Sequence, residues 1–206
     1  MVQAPRSLLA SCRHAWTGLV ETVAFQRNMR IHLVSAMAVS LVGSGLPLGL
    51  AEKVTLLFCV LLVFFAEVLN SALEHLVDLA IREIDEHARK AKDAAAAGVL
   101  VLALGTVAIF ASLLAHNAST VLAHRAAVLR QVLFGLPLLG CTVALLFRTK
   151  LRGTDAALVS TGTVLWAFTT RTSTSWVFSI LTAVLLLIAW RGARLRAQGS
   201  VLKPLP

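Results

Sequence analysis

The strongest constraint on this chain is a series of six long apolar runs separated by short polar loops. Of the 206 residues, 58% are hydrophobic and 14% are charged, whereas soluble domains are about 45–50% apolar and about 25% charged. A membrane-spanning helix needs about 20 mostly apolar residues. The sequence therefore predicts an all-α polytopic membrane protein, with spans at residues 31–50, 54–81, 94–115, 128–147, 156–170 and 176–190, the fifth being the most marginal.

The formal net charge of +9 has two possible meanings. In a soluble protein such an excess would suggest nucleic-acid binding, but in a membrane protein Lys and Arg mark the cytoplasmic loops. Of the 19 basic residues, only Lys53, Arg125, Arg130 and Arg171 fall on one set of alternate loops, and the other fifteen fall on the opposite set. We therefore expect both termini to be cytoplasmic, an even number of spans, and no nucleic-acid partner.

Acidic residues are concentrated in one short stretch, because seven of the ten lie between positions 67 and 93. In the second predicted span, Glu67, Asn70, Glu74 and Asp78 are spaced by three, four and four, so they share a helical face about 80° wide. If that helix begins near residue 54, a rise of about 1.5 Å per residue places Glu67 roughly 20 Å into the membrane and Glu74 about 30 Å along. Ionisable groups at such depth indicate a functional site.

Two interpretations of this stripe are open. Polar side chains can hold membrane helices together through hydrogen bonds. However, three carboxylates on one face repel each other unless a cation lies among them. Mg²⁺ fits that requirement, because it takes a few carboxylate oxygens and completes its shell with phosphates. Lys92 and Asp93 open the third span, either as a solvated helix start or as a contact for phosphate oxygens near Glu74.

Residues 66–78, A-E-V-L-N-S-A-L-E-H-L-V-D, and residues 91–99, A-K-D-A-A-A-A-G-V, together resemble the signature of the prokaryotic diacylglycerol kinase family, which includes undecaprenol kinases. Upstream, H-A-W-T-G-L at 14–19 and Q-R-N-M-R-I-H-L at 26–33 resemble the amphipathic segment before that family's first span. The resemblance covers about residues 11–115. It implies a kinase domain at 1–118, with an N-terminal amphipathic surface helix and three spans.

The resemblance also implies an activity and an assembly. Family members are small homotrimeric enzymes of the bacterial inner membrane that transfer the γ-phosphoryl group of ATP to a lipid hydroxyl, with Mg²⁺ as cofactor. For this chain we expect ATP as co-substrate and a membrane lipid as acceptor. Diacylglycerol, giving phosphatidic acid, is the first expectation, while the R-N-x-R-I-H segment at 27–32 favours undecaprenol.

Residue roles follow from the same resemblance. Glu67 matches the general base, and Glu74 matches a carboxylate that holds the metal bridging ATP. Gln26 stands where the family often has a second metal-binding glutamate, and it offers a carbonyl oxygen without charge. Further implied roles are nucleotide binding by His14, Asn70, Glu74, Glu83, Asp85, Lys92 and Asp93, and substrate binding by Trp16, Asn28, Arg30, His32 and Glu67.

Residues 119–206 are predicted to form a second domain of about three further transmembrane helices. They resemble a degenerate phosphatidic-acid-phosphatase-type domain, or they are an unrelated appendage, because the P-S-G-H segment and the later histidine nucleophile of such phosphatases are missing. Two other functions stay open beside the lipid kinase. One is a lipid phosphatase, opposed by the missing histidine, and the other is a non-catalytic membrane scaffold, for which Gln26 is the single hint.

Overall fold

The computed structural model of the protein describes residues 7–81, 83–148 and 152–199, which form helices and their connections without any strand in these ranges. The all-α prediction is thereby confirmed. The leucine-, valine- and alanine-rich runs favour helices whose backbone groups are satisfied internally, as a membrane requires. The helices are α1 (Leu8–Phe25), α2 (Arg27–Ser44), α3 (Leu50–Ala80), α4 (Glu86–His116), α5 (Ala118–Ala123), α6 (Arg125–Phe147), α7 (Arg152–Thr172) and α8 (Trp176–Gly199).

Four of the described helices, α3, α4, α6 and α8, are long and apolar enough to cross a membrane. The expected number was six, and the other two predicted spans, α2 and α7, do not meet this measure of length and composition. Helix α2 has 18 residues, about 27 Å at 1.5 Å per residue, and its first two turns carry Arg27, Asn28, Arg30 and His32. Its apolar part is therefore shorter than the bilayer core of about 30 Å.

Helix α2 nevertheless packs along α8 and reaches both ends of the bundle. At one end, the Arg30 guanidinium donates to the carbonyl of Leu146, at the last turn of α6 (3.2 Å). In the middle, the Ser40 and Thr182 hydroxyls form a hydrogen bond of 2.8 Å. At the other end, the backbone N–H of Thr174 donates to the Ser44 carbonyl (2.8 Å). The two helices are thus antiparallel, and α2 reaches from one end of the bundle to the other.

The junction between the first two predicted spans differs from the structure. Helix α2 ends at Ser44 rather than at residue 50, and α3 begins at Leu50 rather than at residue 54. Pro47 has no backbone N–H and disfavours helical conformation in the residue before it, so the helix is interrupted there. The Glu52 carboxylate accepts the N–H of Gly49 (2.7 Å), which caps α3 at its first turn. The short helix α5 was not predicted.

The main core lies where α1 and α2 pack against α6 and α8. Met29, Leu33 and Met37 of α2 are fully buried there, against Leu145 of α6 and Ala189 of α8, among others. Helices α3 and α4 form an antiparallel pair that joins this core through α2. Most of α4 stays uncovered by the rest of the chain, so its apolar surface is left for lipid or for another protein.

One close approach in this core gives a testable expectation. A Cβ added to Gly43 of α2 would lie 2.7 Å from Cζ of Phe178, whose ring is fully buried. We expect Gly43→Ala to destabilise the protein by about 1–3 kcal/mol, the usual cost of overpacking a core. Thermal unfolding of the purified protein in detergent measures this. Gly105→Ala is the matched control, since open space surrounds that position, and an equal melting temperature for both variants would contradict the packing argument.

Candidate functional site

The polar stripe predicted on the second span is present on α3, and its centre is buried. Glu67, Asn70 and Ser71 are 2%, 4% and 4% exposed, while Leu69 and Leu73, on other faces of the same helix, are 46% and 47% exposed. The helix therefore turns its polar face toward the protein and its leucines outward. This is the orientation expected when the surroundings are lipid rather than water.

Several oxygen atoms on this face are free to accept a ligand. The Asn70 amide donates to the Glu74 carboxylate at 3.0 Å, as the spacing of four residues allows. In contrast, Oε2 of Glu67, Oδ1 of Asn70 and Oγ of Ser71 are buried without a hydrogen-bond partner in the described part of the chain. Since buried polar atoms nearly always have a partner, these three atoms mark a place where a substrate, water or ion would complete the structure.

At the end of the stripe, Asp78 forms an ion pair with Lys92 of α4. The pair joins the last turns of α3 to the first turns of α4, so Lys92 is held beside the carboxylate stripe. Its side chain is 35% exposed and that of Asp78 is 67% exposed. Sequence reasoning placed Asp78 on the stripe but gave it no role. The signal that could have suggested one is its position four residues after Glu74.

The acidic loop before α4 is organised by local contacts. The Asp85 carboxylate accepts the backbone N–H of Ala88 (2.8 Å) and so caps α4. Asp93 accepts from Arg89 at 2.7 Å along the same helix, with both side chains 64% exposed. Glu83 is exposed and precedes the cap. An exposed ion pair such as Arg89–Asp93 contributes about 0–1 kcal/mol to stability, so replacing it with a contact to phosphate costs little free energy.

The residues that the resemblance assigns from the N-terminal segment have different surroundings. His14 is exposed on α1, while Trp16 packs against the main core. Gln26 is the extended residue between α1 and α2, and its N–H donates to the Thr22 carbonyl (2.8 Å). Among the described residues, no hydrogen bond joins Gln26 to Glu74. The shared metal ligation of these two residues therefore stays a prediction.

The other three N-terminal residues differ in what they contact. Asn28 is exposed. Arg30 donates to the Leu146 carbonyl, and its guanidinium carbon lies 5.3 Å from the centre of the Phe147 ring. His32 lines an apolar cavity of about 230 Å³ between α2, α3 and α4. The structure thus joins Arg30 to α6, a contact that the sequence did not predict. It places His32 beside an apolar cavity of a kind that can hold an acyl chain.

The donor set on α3 can be compared with the needs of a metal ion. In the described part of the chain, no group of three or more His, Cys, Asp or Glu side chains is arranged to hold a metal. Mg²⁺ does not require one, because it is usually bound through one or two carboxylates plus substrate phosphates and waters. Glu74 and the open Oδ1 of Asn70 are oxygen donors of the right kind. The residues present therefore fit an ion that arrives together with phosphate groups.

Long apolar helices around a buried carboxylate stripe define a multi-pass membrane protein with an ionisable site near one end of the bundle. Comparison with known proteins gives the family. Residues 13–114 match the family described as prokaryotic diacylglycerol kinase. The chain belongs to this family. The whole α3 stripe and Lys92 fall inside the matched region, whereas α6, α7 and α8 fall outside it.

Two curated relatives extend this comparison. The chain is 40% identical to the diacylglycerol kinase of Synechocystis sp. over 113 residues, which are 54% of this chain and 65% of that protein. It is 37% identical to the undecaprenol kinase of Bacillus subtilis over 91 residues, which are 44% of this chain and 74% of that protein. The chain thus spans just under two thirds of the Synechocystis relative. No solved structure matches the chain.

Proposed function

We propose that this protein is an integral membrane lipid kinase that transfers the γ-phosphoryl group of ATP to a lipid hydroxyl. The observation that carries the proposal is the buried stripe on α3, where the open Oε2 of Glu67 lies on the same face as the Asn70–Glu74 hydrogen bond. Family membership supports the same activity. Diacylglycerol is the proposed acceptor, with phosphatidic acid as the product, in line with the Synechocystis relative's name.

The positions along α3 suggest how the residues share the reaction. Glu67 is about two turns deeper than Glu74, so a lipid hydroxyl reaches Glu67 from the bilayer while the nucleotide meets Glu74 from the aqueous side. Oε2 of Glu67 accepts the hydroxyl proton as the lipid oxygen bonds to the γ-phosphorus, and the bond from that phosphorus to the β,γ-bridging oxygen breaks to release ADP. Little covalent chemistry is needed beyond this positioning and charge neutralisation.

Charge neutralisation falls to Glu74, Asn70 and Lys92 in this proposal. Glu74, with Oδ1 of Asn70, would hold Mg²⁺, which neutralises phosphate charge when it is bound. Lys92 would exchange its exposed partner Asp78 for phosphate oxygens. His14, Glu83, Asp85 and Asp93 are proposed nucleotide contacts on the resemblance alone, as Gln26 is a proposed second metal ligand and Trp16, Asn28, Arg30 and His32 are proposed substrate contacts.

Undecaprenol is the alternative acceptor. The Bacillus relative is named for that lipid, and the match covers 74% of its length. The cavity beside His32 has walls that are almost wholly apolar, among them Val60, Phe64 and Val107. Such a cavity can hold either an acyl chain or an isoprenoid chain, so the two acceptors have to be compared directly.

One assay tests the activity and the acceptor together. Purified full-length protein is incubated with labelled ATP and Mg²⁺, with diacylglycerol and undecaprenol offered in parallel. We expect label in the diacylglycerol product. Faster transfer to undecaprenol would favour the alternative acceptor, and no transfer to either lipid would favour a non-catalytic scaffold.

The setting of this enzyme is also proposed. The α3–α4 loop and the end of α8 are proposed to lie on the cytoplasmic side of the bacterial inner membrane, with both termini inside, and the excess of basic residues on this set of loops supports the proposal. The assembly is proposed to be a homotrimer, supported by the uncovered apolar face of α4, where Leu100, Val101, Leu104 and Val107 are 58–68% exposed. The division at residue 118, and the origin of residues 119–206, remain predictions.

A further inference from the structure

The end of the bundle that holds the Arg30–Leu146 contact also carries a basic cleft formed by α7 and α8. Two guanidinium groups that follow Trp190 in the sequence lie close to its ring, with the carbon of Arg191 5.3 Å and that of Arg194 4.8 Å from the ring centre. The cleft has a volume of about 560 Å³ and is lined by Arg194 and Trp190, with Ser160 and Gln198 as neutral polar groups. It lies outside the region matched by the kinase family.

Arg194 and Gln198 also border a second cleft of about 340 Å³, where α8 meets α1. Arg191 and Thr17 line this neighbouring space. The two clefts therefore share one wall, and the guanidinium of Arg194 can reach a ligand in either. A group with several acceptor oxygens could be contacted from both sides of α8.

This part of the sequence has almost no acidic side chains to pair with its arginines. Beyond residue 93 the sequence contains a single carboxylate, Asp155, which also lines the larger cleft. The ion pairs found in the described residues all lie between Asp78 and Asp93. Arg191 and Arg194 thus have aromatic contacts but no carboxylate partner in the described chain. An aromatic face attracts a cation by about 0.5–1 kcal/mol at exposed sites, which leaves the guanidinium donors available to an anion.

The position of the cleft indicates which anion it meets. Arg196, two residues after Arg194, donates to the Leu145 carbonyl at the end of α6 (2.8 Å), so the cleft lies at the end of the transmembrane helices. Tryptophan is enriched at the membrane–water interface, and basic clusters there attract anionic lipid headgroups. Ala156 and Val159 form an apolar wall of the same cleft, on which acyl chains can lie.

We propose that this cleft binds the phosphate group of an anionic membrane phospholipid. Arg194, which borders both clefts, holds the phosphate beside the Trp190 ring, and Arg191 adds a second positive charge from the neighbouring cleft. Ser160 and Gln198 offer hydrogen bonds to the glycerol part of the headgroup. Asp155, on the α7 side, repels the phosphate and so directs it toward the arginines of α8. The site does not depend on the proposed kinase activity, because none of these side chains belongs to the α3 stripe.

Binding is tested on the purified full-length protein in neutral detergent. Melting temperature is followed while dihexanoyl phosphatidylglycerol, dihexanoyl phosphatidylcholine or inorganic phosphate is added. We expect a saturable rise with phosphatidylglycerol that far exceeds the rise with the other two. Removing one positive charge near a headgroup weakens binding about fivefold, so Arg194→Gln should raise the apparent Kd about fivefold, and the Arg191→Gln, Arg194→Gln double variant about 25-fold.

Arg125→Gln with Arg130→Gln is the matched control, because these exposed arginines begin α6 at the opposite end of the bundle. The control should leave the apparent Kd for phosphatidylglycerol unchanged, and lipid-free melting temperatures of all variants establish that they fold. Equal lipid affinity in the wild type and the Arg191/Arg194 variant would overturn the proposal. Equal stabilisation by inorganic phosphate or by phosphatidylcholine would overturn the assignment to an anionic lipid.

Discussion

Replacing Glu67 by glutamine is expected to lower the rate of lipid phosphorylation by about 10²–10⁴-fold, the range that a general base supplies. Glutamine keeps the size and the hydrogen-bonding capacity of the side chain, but it cannot take a proton from the lipid hydroxyl. ATP binding should be retained, because in the proposal the nucleotide is held by groups nearer the end of α3 and by Lys92. Turnover is measured with labelled ATP, and nucleotide binding by titration of the same preparation.

The control for this substitution is Glu21→Gln, which removes an exposed carboxylate from α1. Its rate should stay within about twofold of the wild type, since surface changes away from a site have small effects. Glu67 is only 2% exposed, so its substitution can also destabilise the fold. The loss of activity therefore tests the proton-accepting role only if the melting temperature of the Glu67 variant stays close to that of the wild type. A Glu67 variant that keeps more than a tenth of the wild-type rate would exclude a proton-accepting role.

The second large effect is expected for Glu74→Gln. This change leaves one carbonyl oxygen but removes the negative charge on which a divalent cation depends, and the Asn70 amide loses a charged acceptor. We expect the Mg²⁺ concentration for half-maximal activity to rise at least about tenfold, the lower range for disturbing a metal's surroundings. A Mg²⁺ titration at saturating ATP and lipid measures the shift.

Glu86→Gln serves as the comparison for Glu74, because Glu86 pairs with Lys90 at 3.0 Å on the exposed start of α4. The Mg²⁺ titration of that variant should coincide with that of the wild type. If the Glu74 variant also followed the wild-type curve, Glu74 would not hold the metal. A variant with normal Mg²⁺ dependence but weak ATP binding would instead assign Glu74 to the nucleotide.

Features that depend on neighbouring residues could be predicted from the sequence. The positions of the long helices follow from apolar runs, since the bilayer thickness sets their length. The hydrogen bond between Asn70 and Glu74 follows from a spacing of four residues. The burial of Glu67 follows from its place in an apolar helix, where an ionisable side chain turns toward protein rather than lipid.

Features that depend on distant residues could not be predicted. The Arg30–Leu146 hydrogen bond joins positions 116 residues apart, and no periodicity in either segment indicates the pairing. Arg30 was assigned to substrate from the resemblance, whereas its observed partner is the end of α6. The first span was predicted to be too long for a different reason. The apolar residues continue past Pro47, although the helix ends at Ser44.

The burial of α2 between α6 and α8 has a consequence for how this protein could be divided. The family match ends at residue 114, yet the side chains that cover Met29, Leu33 and Met37 belong in part to α6 and α8. A shortened chain that stopped after residue 118 would present these three apolar side chains to a new environment. The half of the chain that matches the family is therefore not structurally independent, and moving it into another protein would require other side chains to cover this face of α2.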